Sequence, residues 1–367
     1  MRNPRFEFNL DKIYHNALNI VETCHRNKIN VVGVTKGVCA NPEIANALLA
    51  AGIKKLADSR LQNIISLRQQ NFTCEIGLLR IPMISEAQEA VQFTDFSYQS
   101  ELKVIEVFNQ MAALMKKVHK VILMIELGDL REGILPANAD QVVNRVLQMR
   151  NIELAGLAMN VGCYGGVIPS FENTSLLVKL RDEIAQCCHI YLPIVSGGST
   201  STLKLMENGK VAPGVNEIRV GEGIYLGTGA SAGGMIPGTY ADAFKLVVEI
   251  VELKNKPSVP VGVINKDAFG KAPHFVDKGN RKRAIMAIGR QDVAPDELIP
   301  LDQGMEIIGA SSDHLIVDIT ECERYLQVGD EVELLPNYGG LLALMTSPYV
   351  IKKNSPKIVR SLTVSMV

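Results

Sequence analysis

The sequence predicts an α/β protein in which a closed parallel (β/α)8 barrel of the TIM type is followed by a C-terminal all-β domain. Eight short β-branched runs alternate with amphipathic stretches between about residues 29 and 227. Beyond Gly238 the pattern changes to short strand-like runs separated by glycine, proline and aspartate. The 367 residues are 47% hydrophobic and 21% charged, which is enough apolar material for two folded domains.

The eight runs of the first part are predicted to be the barrel strands. In the helical pattern after the first run, Asn41 is the expected N-cap, Pro42 occupies the first helical position and Gly52 ends the helix. No G-x-G-x-x-G follows the first run, which weighs against an open doubly wound sheet. The predicted strands are residues 30–36, 54–59, 74–80, 95–99, 120–127, 153–160, 191–198 and 217–226, and the helical patterns include residues 42–51, 101–117 and 175–187.

The predicted domains are a barrel over residues 1–235 and a β-domain over residues 236–367. Residues 6–10 also alternate, so they are a candidate strand for pairing with the β-domain. The basic tail from Lys352 has no clear pattern and is expected to be loosely held. The predicted strands of the β-domain are residues 244–253, 283–289, 306–309, 314–319 and 330–334.

Charge and composition exclude several classes of protein. The 38 basic and 39 acidic residues nearly cancel, so no electrostatic case exists for a nucleic-acid or anionic-membrane partner. No apolar run approaches the roughly 20 residues of a membrane span, and the N-terminal segment lacks an apolar signal core, so we expect a cytoplasmic location. Seven scattered cysteines and six scattered histidines predict reduced thiols and no metal site.

A lysine at the end of the first predicted strand is the main candidate for covalent chemistry. Reactive groups in parallel barrels lie at the C-terminal ends of the strands, and Lys36 ends the first one. Desolvation there would lower its pKa and free the amine to form a Schiff base. The alternative is an ordinary surface lysine at a strand end.

The seventh and eighth strands are followed by runs that suit an anion. Ser196-Gly197-Gly198-Ser199-Thr200-Ser201 precedes a predicted helix and offers backbone N–H and hydroxyl donors, although alone it could be a flexible turn. Together with Gly221-Glu222-Gly223 it matches the phosphate cradle made after the last two barrel strands. A reactive lysine facing such a cradle indicates pyridoxal 5′-phosphate.

Several motifs in a shared order resemble the alanine racemase family, and most closely its ornithine racemase branch. The resemblance covers nearly the whole chain, from about residue 5 to residue 350, and it implies an alanine racemase-like fold. The motifs are residues 8–16 (FNLDKIYHN), 34–36 (VTK), 126–133 (ELGDLREG), 196–198 (SGG), 287–292 (AIGRQD), 309–318 (GASSDHLIVD) and 345–349 (MTSPY).

The resemblance implies roles for particular residues. Lys36 would hold pyridoxal phosphate and act as a base on one face of the substrate, and Arg131 would bind near the phenolic oxygen of the cofactor. The remaining implied cofactor-binding residues are Asn160, Ser196, Gly198, Ser199, Thr200, Arg219, Gly221, Glu222 and Tyr349.

Arg219 would face the ring nitrogen, and this bears on the type of reaction. A guanidinium keeps its protons, so it leaves that nitrogen neutral and the ring a weaker electron sink. A short-lived carbanion favours return of the α-proton, which is racemisation. The alternative is a structural ion pair between Arg219 and Glu217 or Glu222.

The second proton-transfer group is where the sequence departs from the alanine racemases. Racemisation needs two such groups on opposite faces, and Arg290 occupies the place of the tyrosine that supplies the second in alanine racemases. Asp313 and His314 are the favoured replacements, and Asp292, Tyr338 and Cys163 are further candidates. In the family that tyrosine comes from a partner subunit, so the resemblance implies a head-to-tail homodimer with shared active sites.

Other departures bear on the substrate. Ala40 stands where alanine racemases carry a phosphate-binding tyrosine, and Asn160 replaces a histidine near the cofactor ring. The altered pocket suggests an amino acid larger than alanine. A terminal ammonium would suit Glu222, Asp292 or Asp313, so we expect a racemase of ornithine or a similar basic amino acid. The alternatives are an alanine or broad-specificity racemase, and a non-catalytic pyridoxal phosphate carrier, a class that lacks the β-domain.

Overall fold

The computed structural model describes residues 2–229 and 234–355, and the chain divides into two compact units. One unit is Leu10–Ala241, and the other combines the N-terminal segment ending at Asn9 with the chain from Asp242 onward. The boundary therefore differs from the predicted one after residue 235. The N-terminal residues belong with the second unit because their strand hydrogen-bonds to its sheet.

The Leu10–Ala241 unit is a closed barrel of eight parallel strands, which confirms the predicted fold class. Parallel pairing of the first and last barrel strands, with Asn30 opposite Glu217, closes the ring. Side chains including Phe96, Tyr98 and Met124 fill part of the core. The strands are β2 (Asn30–Val34), β3 (Lys55–Asp58), β4 (Glu75–Leu78), β5 (Phe96–Gln99), β6 (His119–Ile125), β7 (Ile152–Met159), β8 (Ile194–Ser196) and β9 (Glu217–Val220).

Helices alternate with these strands as expected. The Asn41 side chain accepts hydrogen bonds from the amides of Glu43 and Ile44, which confirms it as the N-cap of the second helix. No helix among the described residues is long and apolar enough to cross a membrane. The helices are α1 (Leu10–Arg26), α2 (Pro42–Ala50), α3 (Leu61–Gln69), α4 (Ala87–Phe93), α5 (Leu102–Leu114), α6 (Ala139–Val146), α7 (Phe171–Cys188), α8 (Thr202–Glu207) and α9 (Glu222–Leu226).

The prediction of one strand over residues 217–226 is wrong in its second half. Strand β9 ends at Val220, and the amides of Ile224 and Tyr225 turn back to the carbonyl of Gly221 to begin α9. The apolar residues of α9 are buried. A short apolar run that is buried all round has no period that distinguishes a helix from a strand.

The second unit is built on an antiparallel sheet in the order β12-β15-β10-β11-β14-β13. Strand β1 adds to it by pairing antiparallel with β10 and parallel with β16. The strands are β1 (Arg5–Phe8), β10 (Phe244–Pro257), β11 (Asn280–Met286), β12 (Leu298–Pro300), β13 (Glu306–Ala310), β14 (Leu315–Asp318), β15 (Glu331–Pro336) and β16 (Ile351–Asn354).

Two features of this unit were not predicted. A helix, α10 (Tyr338–Thr346), follows β15, so the domain is not purely β. The expectation of a loosely held tail from Lys352 is wrong for the start of the tail, because Ile351–Asn354 pairs with β1. The rest of that prediction, over residues 356–367, lies outside the described residues.

Candidate active site

Lys36 lies just beyond the C-terminal end of β2, in a single turn of 3-10 helix. The buried hydroxyl of Thr35, the preceding residue, donates to the carboxylate of Asp58 at the end of β3 over 2.7 Å. The same carboxylate accepts the backbone N–H of Arg60 and the side-chain amide of Asn63. The backbone that carries Lys36 is thereby tied to the neighbouring strand.

The backbone reverses sharply after Lys36. Cys39 and Ala40 have φ values of 48° and 50°, in the left-handed region that residues other than glycine rarely adopt. The amide of Ala40 donates to the carbonyl of Thr35 and closes the turn. Such a conformation persists where the surroundings determine it, so the position of Lys36 is specified by packing around the turn.

The environment of Lys36 favours its neutral form. Burial is the main cause that lowers the pKa of its ammonium group, and the nearby Arg131 guanidinium lowers it further. Cys163, Asp58 and Glu132 act in the opposite direction without reversing the result. A larger fraction of Lys36 is therefore a neutral, nucleophilic amine near neutral pH than for an exposed lysine.

The loop after β6 is folded around the carboxylate of Glu126. This carboxylate accepts the backbone N–H groups of Gly128, Leu130 and Arg131 over 2.6, 3.0 and 3.2 Å. At Gly133 a Cβ would lie 2.5 Å from the backbone nitrogen of Glu126, so only glycine fits there. These contacts give a structural reason for the motif of residues 126–133.

Arg131 lies in this loop near Lys36. Its guanidinium forms an ion pair with the carboxylate of Glu132, which accepts hydrogen bonds from Nε and Nη2 of Arg131. These contacts raise the pKa of Arg131 although burial opposes them. Arg131 therefore stays charged beside the amine, as its predicted role beside a phenolic oxygen requires.

The buried Asp129 joins the loop after β6 to the loop after β7. Its carboxylate accepts the backbone N–H groups of Gly162, Tyr164 and Gly165, each over 3.0 Å. Three charge-assisted hydrogen bonds on a buried carboxylate hold the second loop firmly. They enclose Cys163, whose position is thereby restricted.

Asn160 and Cys163 are in direct contact at the end of β7. The Asn160 side-chain amide donates to the Cys163 sulfur over 3.1 Å. The amide oxygen of Asn160 is buried and has no hydrogen-bond partner among the described residues. This buried amide oxygen can accept a hydrogen bond from a bound ligand.

Arg219 projects from β9 into the barrel. Its Nη1 donates to the Ser196 hydroxyl over 2.6 Å, and its Nη2 donates to the carbonyl of Met159 over 2.7 Å. The guanidinium also lies 5.0 Å from the centre of the Tyr98 ring. Arg219 is therefore held by three different barrel strands.

The ion pair considered for Arg219 with Glu217 is not what the structure contains. Glu217 instead accepts the Tyr98 hydroxyl over 3.0 Å and lies 3.7 Å from the Lys55 ammonium. Glu222, the other partner considered for Arg219, is the first residue of α9. The guanidinium thus keeps donor capacity for another acceptor at the barrel mouth.

The loops after β8 and β9, where the sequence predicts an anion site, are in contact. The backbone N–H of Gly223 donates to the Thr200 hydroxyl over 3.3 Å. A Cβ at Gly223 would lie 3.0 Å from the Thr200 methyl group, so a side chain would fill this space. Among the described residues, the backbone N–H groups of Ser199, Thr200 and Gly221 have no acceptor. A phosphate supplies the acceptors that such a cradle lacks.

The residues present fit a phosphorylated aldehyde cofactor. A neutral lysine amine suits the aldehyde, the cradle of unpaired N–H groups suits the phosphate, and Arg219 with Asn160 suits the polar atoms of a ring. No group of three or more His, Cys, Asp or Glu side chains in residues 2–229 and 234–355 is arranged to hold a metal ion. The barrel mouth therefore carries groups of the kinds that a pyridoxal phosphate site needs.

The remaining predicted residues lie in the second unit, so the barrel does not by itself bring them to Lys36. Asp313 accepts hydrogen bonds from Ser312 and Gln291 and is exposed, as is the neighbouring His314. The Arg290 Nε donates to the carbonyl of Ala310, and its guanidinium lies over the ring of Phe269. The others are Asp292, which accepts from Ser347, Tyr338, which begins α10, and Tyr349, whose side chain is exposed.

Sequence reasoning missed Asp58, Glu126, Asp129 and Tyr98. Asp58 carried a usable signal, because it follows the apolar end of a barrel strand. Asp129 lies within the motif of residues 126–133, but its partners are 33 to 36 residues away in the chain. Tyr98 carried no signal, because its partners lie on the far side of the barrel.

Comparison with known protein families and structures supports the same assignment. The family model for the alanine racemase N-terminal domain matches residues 8–229. Over 351 residues the chain is 41% identical to ornithine racemase from Acetoanaerobium sticklandii, which covers 95% of this chain and 99% of that protein. Over 355 residues it is 38% identical to lysine racemase from Thermotoga maritima, covering 97% and 99%.

Solved structures with the same fold include two alanine racemases. The enzyme from Clostridium difficile superposes with a TM-score of 0.73 at 20% identity, over 97% of both chains. The enzyme from Bacillus anthracis superposes with a TM-score of 0.74 at 15% identity, over 97% of this chain and 96% of the other. At these identities the likeness supports the fold alone.

Proposed function

The chain belongs to the alanine racemase family and is an amino-acid racemase, and from this premise we propose that it interconverts the L and D forms of ornithine or a similar basic amino acid with pyridoxal 5′-phosphate. Two relatives, at 41% and 38% identity, are named for ornithine and lysine, which are both basic amino acids. The observation that carries the cofactor assignment is the partly buried Lys36, whose lowered pKa favours the neutral amine, in a barrel whose β8 and β9 loops form an amide cradle.

Pyridoxal phosphate, when bound, supplies an electron sink for the electron pair left when the Cα–H bond of an amino acid breaks. Residues of this chain would hold it by one covalent contact, at Lys36, and by polar contacts around the ring and phosphate. The proposed residues for those polar contacts are Arg131, Asn160, Ser196, Gly198, Ser199, Thr200, Arg219, Gly221, Glu222 and Tyr349.

Lys36 is the proposed proton acceptor on one face of the substrate. Its amine nitrogen can take a proton from Cα because burial favours the unprotonated form before the transfer. The Thr35–Asp58 hydrogen bond and the strained turn after Lys36 restrict the backbone from which this side chain extends. The same nitrogen can return a proton to the same face when the reaction runs in the other direction.

Arg219 is proposed to direct the fate of the proton. Its guanidinium does not release a proton at any accessible pH, so it donates a hydrogen bond to a ring nitrogen without protonating it. Ser196 and Met159 hold the two terminal nitrogens in place. This arrangement favours prompt return of the α-proton over slower side reactions.

Inversion also requires a group on the other face, for which we propose Asp313 and His314 from the β unit of a partner subunit. This assignment rests on the resemblance and requires a homodimer. Cys163 is the alternative within the barrel, because it is exposed, held by Asn160 and electrostatically close to Lys36.

For the terminal ammonium of a basic substrate we propose Glu222, Asp292 or Asp313. The cytoplasmic location remains a prediction.

The proposal is tested by cofactor labelling and by isotope exchange. We expect borohydride reduction of the protein with pyridoxal phosphate to label Lys36, and Lys36→Ala to lose the label while Lys54→Ala, a variant of an exposed lysine just before β3, keeps it. In deuterated water, L-ornithine or L-lysine should acquire deuterium at Cα and lose optical activity faster than L-alanine. Cofactor binding without α-proton exchange of any amino acid would instead indicate a carrier protein and overturn the proposal.

The second base is identified by one-sided exchange. A variant that lacks it should still exchange the α-proton of one enantiomer through Lys36 while racemisation falls by about 1000-fold, because only one face keeps a base. We expect this behaviour from Asp313→Ala or His314→Ala and not from Cys163→Ala. The reverse result would assign the role to Cys163. Gel filtration with light scattering tests the dimer that the first assignment requires.

A further inference from the structure

We propose that Tyr98 and Glu217 are positioning residues for Arg219 and that they keep turnover on the racemisation path instead of transamination. This inference rests on the proposed function. Both residues lie in the barrel interior, and they control the orientation of the guanidinium.

Tyr98 reaches Arg219 from the opposite side of the barrel. It belongs to β5, the fourth barrel strand, whereas Arg219 and Glu217 belong to β9, the eighth. The centre of the Tyr98 ring lies 5.0 Å from Cζ of Arg219, and the Tyr98 hydroxyl donates to Oε1 of Glu217 over 3.0 Å. Because Glu217 and Arg219 are two residues apart in one strand, both side chains point to the same face. One tyrosine therefore contacts both.

The three side chains are buried, which strengthens their mutual attraction. Tyr98, Glu217 and Arg219 are 1%, 4% and 6% exposed, so water screens neither the cation–ring contact nor the hydrogen bond. Burial raises the pKa of Tyr98 well above its usual value, so the phenol remains a donor. Lys55 lies 3.7 Å from the other oxygen of Glu217 and places a cation beside the carboxylate.

The contacts of Arg219 restrain its guanidinium in two directions, within its plane and out of it. Hydrogen bonds to Ser196 and to the carbonyl of Met159 fix the two terminal nitrogens within the plane of the guanidinium. The Tyr98 ring lies against the group and resists tilting out of that plane. The Glu217 carboxylate in turn holds the ring through the phenol. Loss of the ring would leave Arg219 bonded but free to tilt, which weakens a directional hydrogen bond.

The side reaction provides the readout. In transamination the α-proton is placed on the carbon of the cofactor that held the substrate nitrogen, the amino group stays on the cofactor, and water releases the substrate as a 2-oxo acid. A well-directed hydrogen bond from Arg219 keeps the ring nitrogen unprotonated and limits the time available for this misplacement. Poor direction of that bond should raise the ratio of oxo acid to inverted product.

The test compares Tyr98→Leu, Tyr98→Phe and Glu217→Gln in the holoenzyme. We expect Tyr98→Leu to raise the oxo-acid ratio, measured by trapping with phenylhydrazine, by about 10-fold and to weaken pyridoxal phosphate binding by the apoprotein by about 10-fold, since misplacement by a fraction of an ångström has effects of this size. Tyr98→Phe keeps the ring but loses its bond to Glu217, so its ratio should lie between those of the wild type and Tyr98→Leu. Glu217→Gln keeps an acceptor for the phenol but loses the charge, so its ratio should lie between those of the wild type and Tyr98→Phe.

Phe108→Leu is the control for a general loss of packing, because Phe108 is fully buried but lies in α5. It should lower the melting temperature without changing the ratio of products. Equal ratios in Tyr98→Leu and Phe108→Leu would overturn the inference while leaving the proposed function intact. A wild-type protein that neither binds the cofactor nor racemises basic amino acids would instead overturn the proposed function.

Discussion

The hydroxyl of Thr35 donates to the carboxylate of Asp58 over 2.7 Å, and both side chains are fully buried. The bond joins the ends of two adjacent barrel strands one residue before Lys36. Burial raises the pKa of Asp58, while hydrogen bonds from Arg60, Thr35 and Asn63 oppose that effect. The donors around this carboxylate therefore help to set the position of the amine.

Replacing Thr35 by valine should destabilise the protein by about 1–3 kcal/mol, because a buried carboxylate loses a donor without a change in side-chain volume. Urea unfolding at neutral pH measures this difference. The control is Thr73→Val at an exposed position, expected within about 0.5 kcal/mol of the wild type. Equal stabilities of the two variants would contradict the role given to this bond.

The lowered pKa of Lys36 should appear in its reactivity. Burial and the Arg131 charge disfavour the ammonium form, so the amine should become reactive at a lower pH than an exposed lysine, whose pKa is about 10.4. Brief treatment with pyridoxal phosphate and borohydride across a pH series, followed by mass spectrometry, measures the midpoint. Arg131→Gln should move this midpoint to higher pH, whereas Arg150→Gln, at an exposed position, should not. A shift to lower pH in Arg131→Gln would show that the electrostatic sign is wrong.

An alanine at Gly223 should damage the anion cradle. Its Cβ would lie 2.7 Å from the Ile236 side chain and 3.0 Å from the Thr200 methyl group, so one of these must move. We expect the apoprotein to bind pyridoxal phosphate at least about 10-fold more weakly, which corresponds to about 1.4 kcal/mol. Binding of pyridoxal, which lacks the phosphate, should change less. Gly309→Ala is the control, because a Cβ there meets no atom within 4 Å.

Asp129 should be needed to hold the loop that carries Cys163. In Asp129→Asn the side-chain NH2 would face a backbone N–H in place of an acceptor, which should cost about 2–3 kcal/mol. We also expect faster hydrogen exchange of the amides of Gly162, Tyr164 and Gly165. Asp140→Asn on the exposed face of α6 should change neither quantity. Unchanged exchange at these amides in Asp129→Asn would remove the basis of this assignment.

The β unit should lose stability in acid through Glu331. Hydrogen bonds from Arg5, and then from Asn3, lower the pKa of Glu331 to about 2. Because the folded-state pKa is below the unfolded value of about 4.3, the contribution is complete above that value and is lost as the pH falls towards 2. The side chain is 39% exposed, so solvent limits the effect to about 1 kcal/mol. Glu331→Gln should therefore be less stable than the wild type at pH 7 and equally stable near pH 2, as measured by thermal unfolding.

Much of the fold was accessible from local patterns. The alternation of apolar runs and amphipathic stretches predicted the barrel, and the short strand-like runs beyond Gly238 predicted the second sheet. Errors arose where local pattern carries no information. Residues 223–226 carry no charge and are buried in a helix although they resemble a strand, and Ile351–Asn354 forms a strand because β1 is beside it.

The site divides in the same way. Lys36, Arg219 and the two glycine-rich runs could be selected from the sequence, because strand ends and residue types are local properties. The supporting contacts could not, because each joins residues that are far apart in the chain. Tyr98 meets Glu217 only because the barrel closes, and Asp129 meets the loop after β7 only because two strands lie side by side. The sequence determined which chemical groups stand at the strand ends, whereas tertiary packing decided which buried charges and donors surround them, since burial and distance exist only in the folded chain.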